Sequence, residues 1–202
     1  MSGWNLDTNA EKKEFTKFAP GVTEIRILSD APHQRWVHWL PQHRRTVNCI
    51  GKGCPICEIR QQQKANGENY TYSLTRRFAM NVENLDTGNF EIMEQGITFI
   101  QDLKDLREDI LDKGLNLYDV IIKVRRRGTG KDNTSYRLDI DREDVLSDTE
   151  IREKSQNITD LDEYFITNTP EQVIRLINGE SWEDVIINEN NEEEDVEEFE
   201  LE

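Results

Sequence analysis

Apolar residues are scarce in this chain of 202 residues. The hydrophobic fraction is 35%, and no run approaches the roughly 20 apolar residues of a membrane-spanning helix. The opening stretch, MSGWNLDTNAEKKEF, lacks the apolar segment that a secretory signal needs. Cysteine is scarce too: Cys49, Cys54 and Cys57 are an odd number packed into nine positions, a poor disulfide framework and a good metal cluster. No P-loop, no H-E-x-x-H and no defensible Ser/His/Asp grouping occurs, so no enzyme is expected. Together these absences describe a soluble protein of a reducing cytoplasm, without a membrane partner.

Positive charge is also in deficit, but unevenly. The chain carries 25 basic and 41 acidic residues, a net of −16. Residues 1–140 hold 21 basic and 19 acidic residues, a net of +2, whereas residues 141–202 hold 4 and 22, a net of −18. The body is near neutral and the last third is an anion, so the global charge misreports what the body can bind.

The chain divides by pattern into four stretches: a flexible N-terminal arm over 1–20, a body over 21–147, a C-terminal helical extension over 148–182, and a disordered acidic tail over 183–202. Eleven acidic residues and no basic one follow residue 182, a block that repels itself and buries nothing. In the body, EIRIL, WVHWL and RTVNC read as short strands, the last two joined by a polar turn at 41–44. YTYSLTRRFAMNV and FEIM form a second strand pair around the turn at 86–89. Apolar residues Ile100, Leu103, Leu106 and Ile110 recur at helical spacing. LYDVIIKVRRR and TSYRLDI close a third hairpin. The expected fold is mainly β with one or two helices, an OB-fold-like small barrel.

The cysteines read C-x4-C-x2-C, a knuckle spanning 38–57 once a fourth ligand is added. Tetrahedral zinc wants four N or S donors. If residues 41–44 turn a hairpin, His38 lies opposite about Val47 and Cys49 is its diagonal neighbour on the same face. His38 is therefore the first choice, His43 at the hairpin tip the second, and His33 is unconstrained. A catalytic zinc of the deaminase type needs H-x-E, and the sequence has His38-Trp39-Leu40, so the metal is expected to be structural.

Aromatic residues beside bases on strands suit single-stranded nucleic acid, because rings stack on bases while cations track phosphates. The patches are Trp39 with Arg44 and Arg45; Tyr70 and Tyr72 with Arg76, Arg77 and Phe78; and Lys123, Arg125 and Arg127 with Lys131, Tyr136 and Arg137. Against this, Tyr72, Leu74, Phe78 and Met80 share one strand parity and would also suit a core. Trp36 and Trp39 have opposite parity, so at most one faces inward. In the tail, Phe199 and Leu201 offer an apolar end for a protein partner.

These segments in order, FAPGVTEIRIL, WVHWL, NCIGKGCPIC, RFAMNVENLDTG and LYDVIIKVRRRGTGKDNTSYRLDI with an acidic tail, resemble the zinc-containing single-stranded DNA-binding, helix-destabilising proteins of tailed bacteriophages. The resemblance covers roughly residues 15–142. It implies an OB-fold, zinc held by His38, Cys49, Cys54 and Cys57, and DNA along a basic, aromatic cleft. It also implies a tail that competes with DNA or recruits replication or recombination proteins, in the cytoplasm of a bacterial host. The rival expectation is an acidic DNA mimic or replication adaptor that uses zinc only for folding.

Overall fold

The computed structural model describes residues 14–130 and 133–187. Its elements run in the order β1 (Gly21–Ile27), β2 (His33–Leu40), β3 (Arg45–Asn48), α1 (Pro55–Ala65), β4 (Ser73–Asn84), β5 (Asn89–Gln95), α2 (Ile97–Leu111), β6 (Val120–Arg127), β7 (Ser135–Glu143), α3 (Asp148–Ser155), α4 (Leu161–Tyr164) and α5 (Pro170–Ile177). The chain forms two compact units, Met1–His33 with Phe78–Leu161, and Gln34–Arg77 with Asp162–Glu202. Mainly β holds, but among the described residues five α-helices replace the expected one or two. The three later ones lie in the C-terminal extension expected to be helical. The apolar spacing of PEQVIRLI announces α5, whereas α3 and α4 are short and polar and bury no side chain. Capping boxes set two of them: Ser147 with Glu150 starts α3, and Thr169 with Gln172 starts α5.

In the first unit the strands pair antiparallel, in the order β5-β4-β1-β6-β7. β6 returns by a long connection to lie beside β1, which gives the Greek-key order. Alternating apolar residues of β1, β4 and β6, such as Ile25, Val82 and Ile122, bury one face. α2 covers that face with Phe99, Leu103 and Ile110, while Ile100 and Leu106 stand at its margin. Gly96 precedes α2 as an uncapped N-terminus, and Gly114 past its end takes a positive φ of 76°.

Part of the expected flexible arm belongs to this unit. The Thr16 amide donates to the Ile92 carbonyl and the Ile92 amide to the Glu14 carbonyl, both at 3.0 Å, and Phe18 is buried against Phe99 and Tyr136. An aromatic ring outweighs the polar residues around it when an apolar face stands open. Residues 1–13 lie outside the described residues.

A buried cation ties the unit together. Arg26 projects from β1 and its guanidinium donates to the carbonyls of Tyr118 and Asp144 and to the Asp144 carboxylate. Its Nε lies 3.4 Å from Glu83 of β4, whose carboxylate accepts from Lys154 of α3 at 2.7 and 2.8 Å. One guanidinium thus links β1, β4, the entry to β6 and the chain leading to α3. Removing the guanidinium takes its donors from the Tyr118 and Asp144 carbonyls and leaves the largely buried Glu83 with Lys154 alone. Arg26→Ala is expected to cost about 3 kcal/mol of stability, read as a lower urea midpoint; an unchanged midpoint would show that the cluster contributes nothing net.

Candidate metal centre

The second unit is built on a hairpin and a knuckle. β2 pairs with β3 in the register His38 to Val47 and Leu40 to Arg45, so the turn at 41–44 sets His38 opposite Val47 as its length implies. Arg44 takes a positive φ of 51° to close that turn. The Cys49 amide then donates to the Trp36 carbonyl at 2.8 Å, which holds Cys49 beside the strand that carries His38.

Gly51 and Gly53 follow at φ 80° and 78°, a left-handed geometry that side chains resist. They reverse the chain so that the Cys54 amide reaches back to the Gly51 carbonyl at 3.3 Å. Cys54 is the N-cap of α1, Pro55 stands in the first helical turn, and Cys57 follows one turn on. The four donor atoms of His38, Cys49, Cys54 and Cys57 all lie within 4.8 Å of one another.

Their spacing is that of a tetrahedral first shell. Two thiolates bound at about 2.3 Å sit about 3.8 Å apart at the tetrahedral angle, and a thiolate and an imidazole nitrogen about 3.6 Å apart. Here Cys49 and Cys57 sulfurs are 3.5 Å apart, and His38 Nε2 is 3.5 Å from both Cys54 and Cys57. The imidazole is also set in the right tautomer. Its Nδ1 donates to the Ser73 carbonyl at 3.0 Å, so Nε2 keeps its lone pair and points at the sulfurs.

Electrostatics agree with a metal ligand set. Burial lowers the His38 pKa below its ordinary value, against the Ser73 hydrogen bond and with help from the Arg60 charge. Neutral imidazole is the ligating form. Without metal, burial pushes the Cys57 thiol up to about 12, with its hydrogen bond to Cys49 and the neighbouring sulfurs adding to the rise. A divalent ion must displace that proton.

Beneath the donors lies a small apolar core of Leu40, Val47, Ile56, Tyr72, Val173, Leu176 and Val185. α5 closes it, and the hairpin tip is fastened to the end of that helix. Gln42 Nε2 and His43 Nε2 lie 3.2 and 2.8 Å from the Leu176 carbonyl, and His43 meets the Trp182 ring edge-on. His43, the second choice for a ligand, is therefore a helix-end partner.

The acidic tail also starts later than its charge suggests. Trp182 packs on this core, Glu183–Ile187 forms a π-helical turn, and Val185 is buried. Apolar anchors at 182 and 185 override the charges of Glu183 and Asp184. Phe199 and Leu201 lie outside the described residues.

The aromatic and basic residues sort into two groups. Tyr72 and Phe78 are buried, and Tyr136 packs on Phe18 and Phe99, so the core takes their rings rather than a ligand. Trp36, Trp39 and Tyr70 remain 46%, 41% and 49% exposed. Both tryptophans face outward because Val37, His38 and Leu40 fill the buried places of β2. Arg76 lies 5.6 Å from the Trp36 ring centre, Arg60 4.0 Å from Tyr70, and Arg45 5.2 Å from Trp182. Arg44 is exposed and Arg77 half-buried.

On the first unit, Arg125, Arg127 and Arg137 are exposed, with Arg125 directly across the ladder from Arg137. Lys123 differs from its neighbours. It is bonded to Asp141 and lies 3.6 Å from Glu24, and the Asp141 bond raises its pKa. Its charge is already compensated, so it is a poor phosphate ligand. Lys131 lies outside the described residues. Arg60 and the Ser73 carbonyl were not anticipated. Arg60 had a signal, one helical turn past Cys57, whereas a backbone acceptor has none in a sequence.

A Co2+ titration should give a thiolate charge-transfer band at one equivalent, lost in Cys54→Ser and weakened in His38→Gln. His43→Gln should keep it. Because Cys57 must lose a proton, affinity should fall by at least about tenfold per pH unit as pH drops through neutrality. A band that survives Cys54→Ser, or affinity flat with pH, would refute the assignment. Among the described residues no helix is long and apolar enough to cross a membrane. Comparison with protein-family models, curated proteins and solved structures gives no match to this chain.

Proposed function

We propose that this protein binds single-stranded DNA without catalysing a reaction, through an OB-type first unit and a second unit held by a structural zinc. The observation that carries the reading is the facing pair Arg125 and Arg137 in the β6–β7 ladder, with Arg127 exposed two residues on. Like charges directly opposite each other destabilise a ladder. Asp139, 3.0 Å from Arg137, offsets only part of that cost, and a phosphate would offset the rest. The exposed rings of Trp36, Trp39 and Tyr70 supply stacking surfaces that tolerate any base.

The Greek-key order of the first unit supports an OB-type arrangement, a five-stranded fold that binds oligonucleotides. The donor set supports zinc over harder cations, since thiolates and imidazole suit it. In this reading the zinc supplies only folding energy. The protein coats and protects single strands and melts their hairpins in phage replication, recombination and repair, in the cytoplasm of a bacterial host. Its acidic end recruits other replication or recombination proteins. An acidic DNA mimic is the alternative, and it would leave oligo-dT unbound at low salt.

Two measurements test this. Fluorescence titration with oligo-dT should show Arg125→Ala with Arg127→Ala weakening binding to every sequence. The same variant should flatten the salt slope by about 0.7 for each phosphate left without its arginine. Trp39→Ala should cost about 1–3 kcal/mol with the slope unchanged. An unchanged slope in the arginine variant would remove those residues from the phosphate path. Ending the chain after Ile187 removes nine acidic residues while keeping Trp182 and Val185 in their core. Binding at low salt should then tighten, with the gain shrinking as salt screens the tail; equal binding at every salt would discard the competing tail.

A further inference from the structure

We propose that Cys49 and Cys57 are a redox modification site: a peroxide joins them in a reversible disulfide, which expels the metal and leaves Cys54 reduced. Two observations single out this pair. Their sulfurs are 3.5 Å apart, and both residues are half-buried, whereas Cys54 is buried in the apolar core. Cys54 is only 1% exposed, so its sulfur is closed off from solvent. The familiar C-x2-C pair, Cys54 with Cys57, is therefore disfavoured here, because a peroxide cannot reach one of its sulfurs.

The backbone permits the closure. A disulfide needs its sulfurs about 2.05 Å apart, a shift of about 1.5 Å from the present separation. Cys49 stands just past β3 and Cys57 in α1, and the chain between them passes through Gly51 and Gly53. An added Cβ at either glycine would meet nothing within 4 Å, so this turn has open space in which to move. Once joined, neither sulfur is a thiolate, and two of the four donors are gone.

The chemistry balances with a hydroperoxide as oxidant. One sulfur attacks the peroxide oxygen; the S–O bond forms, the O–O bond breaks, and the departing hydroxide takes a proton as water. The second sulfur attacks the resulting sulfenic sulfur; the S–S bond forms and the S–O bond breaks, releasing a second water. The two sulfurs lose two electrons and the peroxide gains them. When the pair starts as metal-bound thiolates, solvent supplies the two protons and the metal leaves as the free cation. A dithiol reverses the step.

The sequence offers a direct assay. Trypsin cuts after Arg45, Lys52 and Arg60, which puts Cys49 on the peptide 46–52 and both Cys54 and Cys57 on the peptide 53–60. The full-length metal-loaded protein is treated with hydrogen peroxide, alkylated without reduction, digested and analysed by mass spectrometry, while released zinc is followed with a chromogenic chelator. The expected result is cross-linked 46–52 and 53–60 with the alkyl group on Cys54, one metal released per cross-link, and recovery with dithiothreitol and zinc. Cys49→Ser should give no cross-link.

A disulfide within 53–60, a cross-link through Cys54, or release with only sulfinic acids would overturn the proposal. The outcome also separates this idea from the metal assignment. Protein that carries no metal as purified but still cross-links through Cys57 defeats the metal assignment and leaves the disulfide standing.

Discussion

Four donor atoms from three pieces of backbone must meet within 4.8 Å, and the rest of the second unit follows from that requirement. His38 comes from the middle of a strand, Cys49 from the end of its partner, and Cys54 and Cys57 from the first turns of a helix. The apolar core under them is only a handful of side chains, too few to order the unit through burial alone. A structural metal in comparable modules contributes roughly 10–16 kcal/mol of apparent binding energy, more than a typical domain's net stability. The hairpin register, the two left-handed glycines and the Ser73 carbonyl all act to deliver those donors in one geometry.

Charge is organised differently in the first unit. Buried Arg26 gathers Glu83, Lys154 and the exposed carboxylate of Asp144 into one cluster that locks strands to the helix that follows them. Lys123, Glu24, Asp141 and Arg142 do the same at the surface. What remains is a short list of exposed cations on β6 and β7, with Arg125 facing Arg137 across the ladder and Asp139 offsetting only part of that repulsion. The near-zero net charge of the body thus conceals a division between charges spent internally and charges offered outward.

Much of this was legible in the sequence, because the informative features are local. A four-residue turn of polar residues sets a hairpin register, and that register alone distinguishes His38 from His43. Tight cysteine spacings with glycine between them mark a knuckle whatever surrounds it. Strand parity marked Tyr72 and Phe78 as core candidates. The main failures are residues whose partners lie farther along the chain. Lys123 looks like a free base until Asp141 and Glu24 are placed beside it. Phe18 looks like part of a loose arm until α2 supplies Phe99. Trp182 and Val185 sit among acidic residues, and only the apolar patch they cover explains why they are ordered.

Asn48 donates from its side chain to the Phe165 and Ile166 carbonyls at 3.0 and 2.9 Å, and it accepts from Arg35, whose guanidinium lies 3.8 Å from the Phe165 ring. These bonds join the hairpin to residues more than a hundred positions later. A ribosome releases the hairpin and all four donor residues long before α5 exists, so the knuckle emerges as an incomplete body with its apolar floor bare. Closing it requires a long chain segment to return, at a loop entropy that grows only slowly with length. Assembly of this unit is thereby ordered in time: ligands first, lid last. A nascent chain that stalls before residue 170 would hold the four clustered donors but not the helix that covers their core.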